Sequence, residues 1–350
     1  MRSLIYLLPD THSALLSRAA GSVLVLMLVC AGPVAAQDAV MQKAVASYQS
    51  ARFDQAIELF SEVAQNTSAD IDDRREALQY LGQTYIAKRM GAQAKQTMEE
   101  LVALEPPIIE LNPDQVSPPL MNLYYQVRKE QSGGYEVERR DPGMKTLAII
   151  DFTNSSIGDD YDRYGPLERG LPSMMINYLN GATDLKVVER ERIQWLLDEL
   201  KLQKDPGMVD QNTAVKAGKL LGANAVLIGA YTVAGSRMWM SARLVSVETG
   251  EILLAQQITG KPADFFDLVE DLSAKVATSI KSDLPKQMLG QERQTKSLDA
   301  VLSYSEGLAL LEQQDYNGAY AKFQKAVELD PGYTRAKEKA NSLMPMLAVR

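Results

Sequence analysis

Cysteine and histidine are almost absent from this 350-residue chain, which contains one of each, Cys30 and His12. Both lie within the first 36 residues, in a segment that has the pattern of a cleavable leader. Without that segment the chain has no thiol and no imidazole. This excludes cysteine nucleophiles, Ser-His-Asp triads, histidine general bases and zinc sites built from these residues. It also excludes disulfides, so folding depends on the size of the apolar core.

The first 36 residues have the parts of a secretory signal peptide. Basic residues accompany the apolar run 23–29, and small residues at the −3 and −1 positions favour cleavage between Ala36 and Gln37. The apolar run is too short to span a bilayer permanently. A retained anchor is one alternative. Lipid attachment at Cys30 is another, which Val29 disfavours because lipoprotein cleavage requires a small residue before the cysteine.

Basic residues are in the minority, with 37 Lys and Arg against 45 Asp and Glu and a net charge of −8. Such a chain is not attracted to phosphate backbones, so we expect no nucleic-acid partner. No cofactor motif is present either. Residues 218–222 (GKLLG) have the wrong order for a phosphate-binding loop and lie inside a predicted helix. We therefore expect no cofactor.

The centre of the chain, residues 146–285, alternates strand-like and helix-like segments. The predicted strands are 147–152, 185–189, 225–233, 237–247 and 252–259. Helices are predicted over 167–179, over two segments between 189 and 222, and over 265–284. This alternation predicts an α/β fold in which a mixed sheet is packed between helices in a three-layer arrangement, long enough to bury its own core.

Helical repeats are predicted on both sides of the central module, over 37–106 and 300–350. In the first region, Gly82 and Ala94 fall at the spacing of a tetratricopeptide repeat, where small residues allow two helices to approach closely. Gly307 and Ala319 reproduce that separation in the second region. A weaker unit is predicted around Ala44, Phe53, Ala56 and Phe60. A final helix over 334–344 is expected to be a solvating cap.

The segment 107–145 differs from its neighbours in composition because it contains several prolines. Only 120–129 has a helical pattern. We predict a strap that docks on the repeats, then a short helix, then a hinge over 131–144 with paired glycines. A mobile arm that binds a partner is the alternative. A second linker is predicted over 286–299.

Four aspartates lie at or after the end of the first predicted strand, namely Asp151, Asp159, Asp160 and Asp162. Loops at the carboxyl ends of strands are where α/β proteins tend to hold ligands, so this loop is a candidate cation site. Its spacing does not match a calcium-binding loop, and a solvated loop is the favoured interpretation. We predict no metal site.

Charged and aromatic residues elsewhere have structural or binding interpretations. Glu189 and Arg190, between a strand and a helix, are expected to form a buried ion pair or a cap rather than to act in catalysis. Residues 236–247 are interpreted as a half-exposed strand at an antiparallel edge. Trp239 beside Arg237 could instead be a binding hot spot. The candidate partner-binding residues are Arg237, Trp239, Tyr85 and Tyr316.

The central module resembles a known family in four successive segments. They are LAIIDF (147–152), LKVVERERIQWLLDELKLQ (185–203), NTAVKAGKLLGANAVLIGAYT (212–232) and SARLVSVETGEIL (241–253). Together they resemble the domain of the curli production assembly/transport component CsgG family. The resemblance implies a compact periplasmic α/β domain, similar also to the amino-terminal domain of the translocation protein TolB and to lipoprotein activators of peptidoglycan synthases.

The resemblance implies a role in the bacterial cell envelope. The channel of this family is implied to insert two long hairpins into the outer membrane, and the intervals 150–185 and 185–225 hold no run of that length. We therefore expect a non-enzymatic periplasmic scaffold of an assembly or secretion system that binds envelope proteins. A subunit of a curli-type outer-membrane secretion channel is the alternative. Homo-oligomers and peripheral association with the outer membrane are left open.

Overall fold

The computed structural model describes residues 33–104, 111–135, 145–180, 185–200, 210–280 and 294–348. The predicted leader up to residue 32, most of the predicted hinge over 131–144 and most of the linker over 286–299 lie outside these ranges. Pro106, predicted to end the second repeat, also lies outside them.

The amino-terminal region consists of helices packed in sequence. They are α1 (Pro33–Gln49), α2 (Phe53–Gln65), α3 (Ile71–Ala87), α4 (Gly91–Ala103) and α5 (Pro118–Ser132). The carboxylate of Asp70 caps α3 by accepting a 2.8 Å hydrogen bond from the Asp72 amide. Gly82 is a point of close approach, since a Cβ there would lie 2.7 Å from Cε of Met98. These helices pair as predicted, and their assignment as tetratricopeptide repeats stays a prediction.

The central module contains a mixed sheet, as the sequence predicts, and among the described residues this sheet has six strands where five were predicted. Its strands are β1 (Lys145–Ile149), β2 (Thr153–Asn154), β3 (Leu185–Val187), β4 (Ala225–Ala234), β5 (Arg237–Ser246) and β6 (Ile252–Gly260). The order is β3-β1-β4-β5-β6, with β2 also paired to β4. Strands β3, β1 and β4 are parallel, whereas β4, β5 and β6 are antiparallel.

Helices cover one face along the whole sheet and the other face over its parallel half. They are α6 (Asp159–Tyr164), α7 (Leu167–Leu179), α8 (Arg190–Glu199), α9 (Gln211–Leu221) and α10 (Phe265–Ser279). Buried residues of α7 and α10, such as Met175 and Leu272, pack on one face. Buried residues of α8 and α9, such as Leu197 and Ala217, pack on the other. The predicted α/β fold with a three-layer arrangement is confirmed.

The strand predicted at a sheet edge, around 236–247, lies instead inside the sheet. β5 pairs with β4 on one side and with β6 on the other. The prediction was wrong because the turn after β5, where Gly250 has a φ of +74°, returns the chain alongside β5. β6 is the edge strand.

The carboxyl-terminal region forms three helices, α11 (Leu298–Glu312), α12 (Tyr316–Leu329) and α13 (Thr334–Leu347). A Cβ at Gly307 would lie 2.5 Å from Cε1 of Phe323, so glycine permits the close packing of α11 on α12. The predicted solvating role of the last helix was wrong. α13 packs on α12 and also on α1 and α3. Its Ala336, Ala340 and Leu343 are buried.

Within the ranges that the structure describes, no helix has the length and apolar character needed to cross a membrane.

Candidate functional site

The first turn of α8 is the point at which the three regions of the chain meet. Arg190 donates two hydrogen bonds to the carboxylate of Asp151, from Nε at 2.9 Å and from Nη2 at 2.7 Å. Its Nη2 also contacts Glu312 at the end of α11. Arg169 of α7 donates from Nε to the same Glu312 at 2.8 Å. We call Asp151, Arg169, Arg190 and Glu312 the Arg190 cluster, which attaches the carboxyl-terminal helices to the sheet.

The Arg190 cluster is shielded from solvent, and this sets the charge states of its acids. The side chains of Arg190 and Asp151 are 6% and 10% exposed. Burial raises the pKa of Asp151, and the bidentate contact with Arg190 offsets only part of that effect. Burial alone would also raise the pKa of Glu312, but the guanidinium groups of Arg190 and Arg169 outweigh it and hold that pKa below its ordinary value.

The next residue, Glu191, reaches a second cluster on α13. Lys339 donates from Nζ to Glu191 Oε1 at 2.7 Å and to the Pro113 carbonyl oxygen at 2.8 Å. Its Nζ also lies 3.5 Å from Asp114 Oδ1. Arg335, one turn earlier, contacts the Asp114 carboxylate. We call Asp114, Glu191, Arg335 and Lys339 the Lys339 cluster. It joins α13 to the strap before α5 and to α8.

The Lys339 cluster keeps Glu191 ionised. Burial would raise the pKa of Glu191, but Lys339 and Arg335 outweigh it and lower that pKa to about 2. The second oxygen of the carboxylate, Oε2, is buried and has no hydrogen-bond partner in the described structure. Glu191 therefore relies on the two nearby cations for compensation of its charge.

Arg192 connects α8 with the amino-terminal region, as Arg190 and Glu191 connect it with the carboxyl-terminal helices. Its Nη2 donates to the carbonyl oxygen of Tyr135 at 3.0 Å. One turn later, the Trp195 ring lies between the rings of Tyr125 and Tyr135, with centroid distances of 5.6 Å and 5.8 Å. Residues 190–192 thus contact α11, α13 and the end of α5 in succession. The expectation of a buried ion pair at Arg190 is confirmed. Glu189 is the N-cap residue of α8 and makes no side-chain capping hydrogen bond.

The four aspartates of the candidate cation loop are not assembled around one point. Asp151 contacts Arg190, whereas Asp159, Asp160 and Asp162 lie on α6. Asp160 Oδ2 accepts a 2.7 Å hydrogen bond from the Gly235 amide and so ties the loop to the β4–β5 turn. Over the residues that the structure describes, no three acidic, histidine or cysteine side chains form a group able to hold a metal ion.

The four candidate partner-binding residues lie on three separate elements. Arg237 and Trp239 are on β5, where Trp239 lies between Thr232 of β4 and Thr259 of β6. Arg237 is exposed and Trp239 is partly exposed. Tyr85 packs against the core of the amino-terminal helices. Tyr316 packs against the core of α11–α13. The structure does not bring the four into one site.

The sequence reasoning missed Arg169 and Glu312 of the Arg190 cluster, and Asp114, Arg335 and Lys339 of the Lys339 cluster. The available signal was the spacing of Arg335 and Lys339, four residues apart beside the small residues Ala336 and Ala340. Small residues next to cations on one helix face indicate that the charges approach a packed surface.

The central module can be compared with known proteins on this basis. Residues 136–238 match the family model of the curli production assembly/transport component CsgG. The CsgG resemblance of the sequence is thereby confirmed for this segment. No curated protein matches the chain.

Solved structures similar to the chain include the following three bacterial proteins. The LpoB C-terminal domain from Salmonella enterica has 16% identity and a TM-score of 0.29, with 34% of this chain and 84% of that chain covered. TolB from Acinetobacter baumannii has 13% identity and a TM-score of 0.27, with 39% of this chain and 28% of that chain covered. Lipoprotein GNA1162 from Neisseria meningitidis has 16% identity and a TM-score of 0.29, with 39% and 98% covered. TM-scores this low carry no argument about function.

Proposed function

We propose that this protein is a non-enzymatic scaffold or accessory protein of the bacterial cell envelope, exported to the periplasm, where it binds protein partners of an assembly or secretion system. The CsgG-family match over residues 136–238 supports the cell-envelope assignment. The helical regions, including the surfaces around Tyr85 and Tyr316, are proposed as further protein-binding elements.

The Arg190 cluster is the observation that carries the proposal. In α/β folds, the carboxyl ends of the parallel strands are where ligands usually bind. Here Asp151 follows β1 at that position, and its carboxylate is engaged by Arg190, which also pairs with Glu312 of α11. The charges at this end of the sheet thus hold another part of the chain. This supports a role in assembly more than one in chemistry on a substrate.

The uncovered face of β5 is the proposed docking surface of the CsgG-like domain. Arg237, Trp239 and Arg243 alternate along one side of β5, and both arginines are exposed. Strands β4, β5 and β6 contain no acidic residue. Charge complementarity therefore favours a protein partner with an acidic surface. Trp239 of this chain is proposed as the aromatic residue that anchors that partner.

Site-specific photocrosslinking in living cells tests this surface. A photoreactive amino acid at position 239 or 243 should give an adduct with one envelope protein, and Arg237→Glu should reduce its yield. Position 328 on α12 is the control, because Glu328 has a side-chain exposure of 66% and lies away from the sheet. Equal adducts from 239 and 328 would contradict the proposal.

The channel alternative predicts different behaviour on fractionation. A scaffold should be released from membranes by a carbonate wash, whereas a channel subunit should stay with the outer membrane. Retention after the wash would favour the channel and would count against the scaffold.

A further inference from the structure

A cavity of about 500 Å³ lies between the amino-terminal helices and α13. Tyr48 at the end of α1 and Tyr80 of α3 line one side, and Glu338, Asn341 and Pro345 of α13 line the other. Its volume is within the range of ligand-binding pockets, about 300–1,000 Å³. The cavity therefore has room for a side chain of another molecule, at a place separate from the β5 surface.

The charge of this cavity comes from Glu338, the one charged residue among the described residues that line it. Its carboxylate accepts a 3.2 Å hydrogen bond from Nε2 of Gln115, so its partner in the described structure is a neutral amide. Glu338 also lines a second cavity of about 420 Å³, together with Asp114, Glu189 and Arg335. Over the described residues that line the two cavities, three acids thus stand against one cation. The electrostatic field there favours a positively charged ligand.

The proline in α13 adds a hydrogen-bond acceptor beside Glu338. Pro345 lies inside the helix and has no N–H, so the carbonyl oxygen of Asn341, four residues earlier, lacks its usual intrahelical donor. Asn341 is exposed, lines the cavity and lies three residues after Glu338, which places the two on neighbouring parts of the helix surface. A guanidinium group has five N–H donors and no acceptor, and it therefore suits a carboxylate next to such a carbonyl.

The two tyrosines suit the apolar part of a basic side chain. The rings of Tyr48 and Tyr80 are in edge contact, with centroids 5.6 Å apart. Arginine joins an apolar stem to a charged end, and its guanidinium group is attracted to aromatic rings. The cavity thus combines aromatic rings, a carboxylate and a backbone carbonyl around a space that one arginine side chain can enter.

We propose that this cavity binds an arginine side chain of a protein partner. We call Tyr48, Tyr80, Glu338 and Asn341 the Glu338 pocket. The guanidinium group contacts the Glu338 carboxylate and the Asn341 carbonyl oxygen, and the arginine stem lies along the tyrosine rings. This inference rests on the proposed role in binding protein partners, but it concerns a different surface. Crosslinking at position 239 tests that role, whereas the experiments below test the Glu338 pocket alone.

Peptide binding to the full chain tests the charge requirement. The probes are two blocked pentapeptides, one with arginine between alanines and one with citrulline, which has the same shape and no charge. Calorimetry should show that the arginine peptide binds at least about tenfold more tightly, the size expected of a charged hydrogen bond. Glu338→Gln should abolish this preference. Glu328→Gln, at a position with 66% side-chain exposure on α12, is the matched control and should retain it. Equal affinities of the wild type for the two peptides, or an unchanged preference in Glu338→Gln, would overturn the proposal.

Affinity alkylation tests where the peptide binds. In a Cys30→Ser background, Asn341→Cys provides one thiol in the Glu338 pocket and keeps the backbone carbonyl. An arginine peptide that carries a bromoacetyl group should alkylate this thiol at least about tenfold faster than the citrulline peptide does. Ser241→Cys, exposed on β5, is the control and should react equally with both peptides. Equal rates of the two peptides at position 341 would overturn the assignment of the site.

Discussion

Replacement of Lys339 by methionine should destabilise the protein far more than the loss of an ordinary surface lysine. The Lys339 side chain is 2% exposed, and its Nζ contacts Glu191, Asp114 and the Pro113 carbonyl oxygen. Lys339→Met keeps most of the apolar stem but leaves Glu191 with less compensation for its buried charge. Glu191 Oε2 already has no hydrogen-bond partner in the described structure, so it has no second contact on which to rely.

The expected magnitude follows from the cost of an uncompensated buried charge. Removal of one partner of a buried ion pair costs about 3–5 kcal/mol, whereas replacement of both partners by neutral groups costs much less. Lys339→Met should therefore lower the free energy of unfolding by about 3 kcal/mol. Addition of Glu191→Gln should recover part of that loss, with a coupling energy of about 2 kcal/mol.

Urea denaturation followed by circular dichroism measures these free energies. Lys325→Met is the matched control, because Lys325 and Glu328 form a surface pair on α12 with side-chain exposures of 57% and 66%. Exposed pairs of this kind contribute about 0–1 kcal/mol. Equal effects of Lys339→Met and Lys325→Met would refute the reasoning. So would strict additivity of Lys339→Met and Glu191→Gln.

Two further predictions concern packing and pH. Gly170→Ala should lower the free energy of unfolding by about 1–3 kcal/mol in urea, because the added Cβ would overlap Ser305 Oγ where α7 packs on α11. Gly91→Ala, with no atom within 4 Å of its added Cβ, should be close to neutral. Because the pKa of Glu191 is lowered from 4.5 to about 2, its charge stabilises the folded state above pH 4.5, and that stabilisation is lost as the pH falls toward 2. The stability difference between wild type and Glu191→Gln should shrink by about 3 kcal/mol over this interval, and a constant difference would contradict the assignment.

The parts of the fold that were predictable have strong local signals. Strand and helix periodicity located the mixed sheet and the helix pairs, and the small residues Gly82 and Gly307 indicated close helix contacts. The position of β5 was not predictable in the same way. Its alternation of exposed and buried residues is the same whether one strand or two flank it, so periodicity could not distinguish an edge from the interior.

The contacts between the three regions of the chain were harder to predict from the sequence. The charged residues at 189–192 indicated an ion pair, but the partners Glu312 and Lys339 lie more than a hundred positions later. The charges of Glu312 and Lys339 are typical of solvent-exposed positions. The prediction for α13 was accordingly a terminal helix with a solvent-exposed face. The error has a physical cause: a buried lysine differs from an exposed one by its partner, which a single helix does not reveal.

Hydrogen exchange in an Arg190→Met variant tests the central claim most directly, which is that the charges at the carboxyl end of the sheet hold the carboxyl-terminal helices in place. Mass spectrometry would compare the amides of α11 with those of β4 and β5 in the same sample. The account predicts that the α11 amides exchange at least about tenfold faster than in the wild type, a local loss of about 1.4 kcal/mol or more, with β4 and β5 less affected. Unchanged protection of α11 relative to β4 and β5 would contradict it.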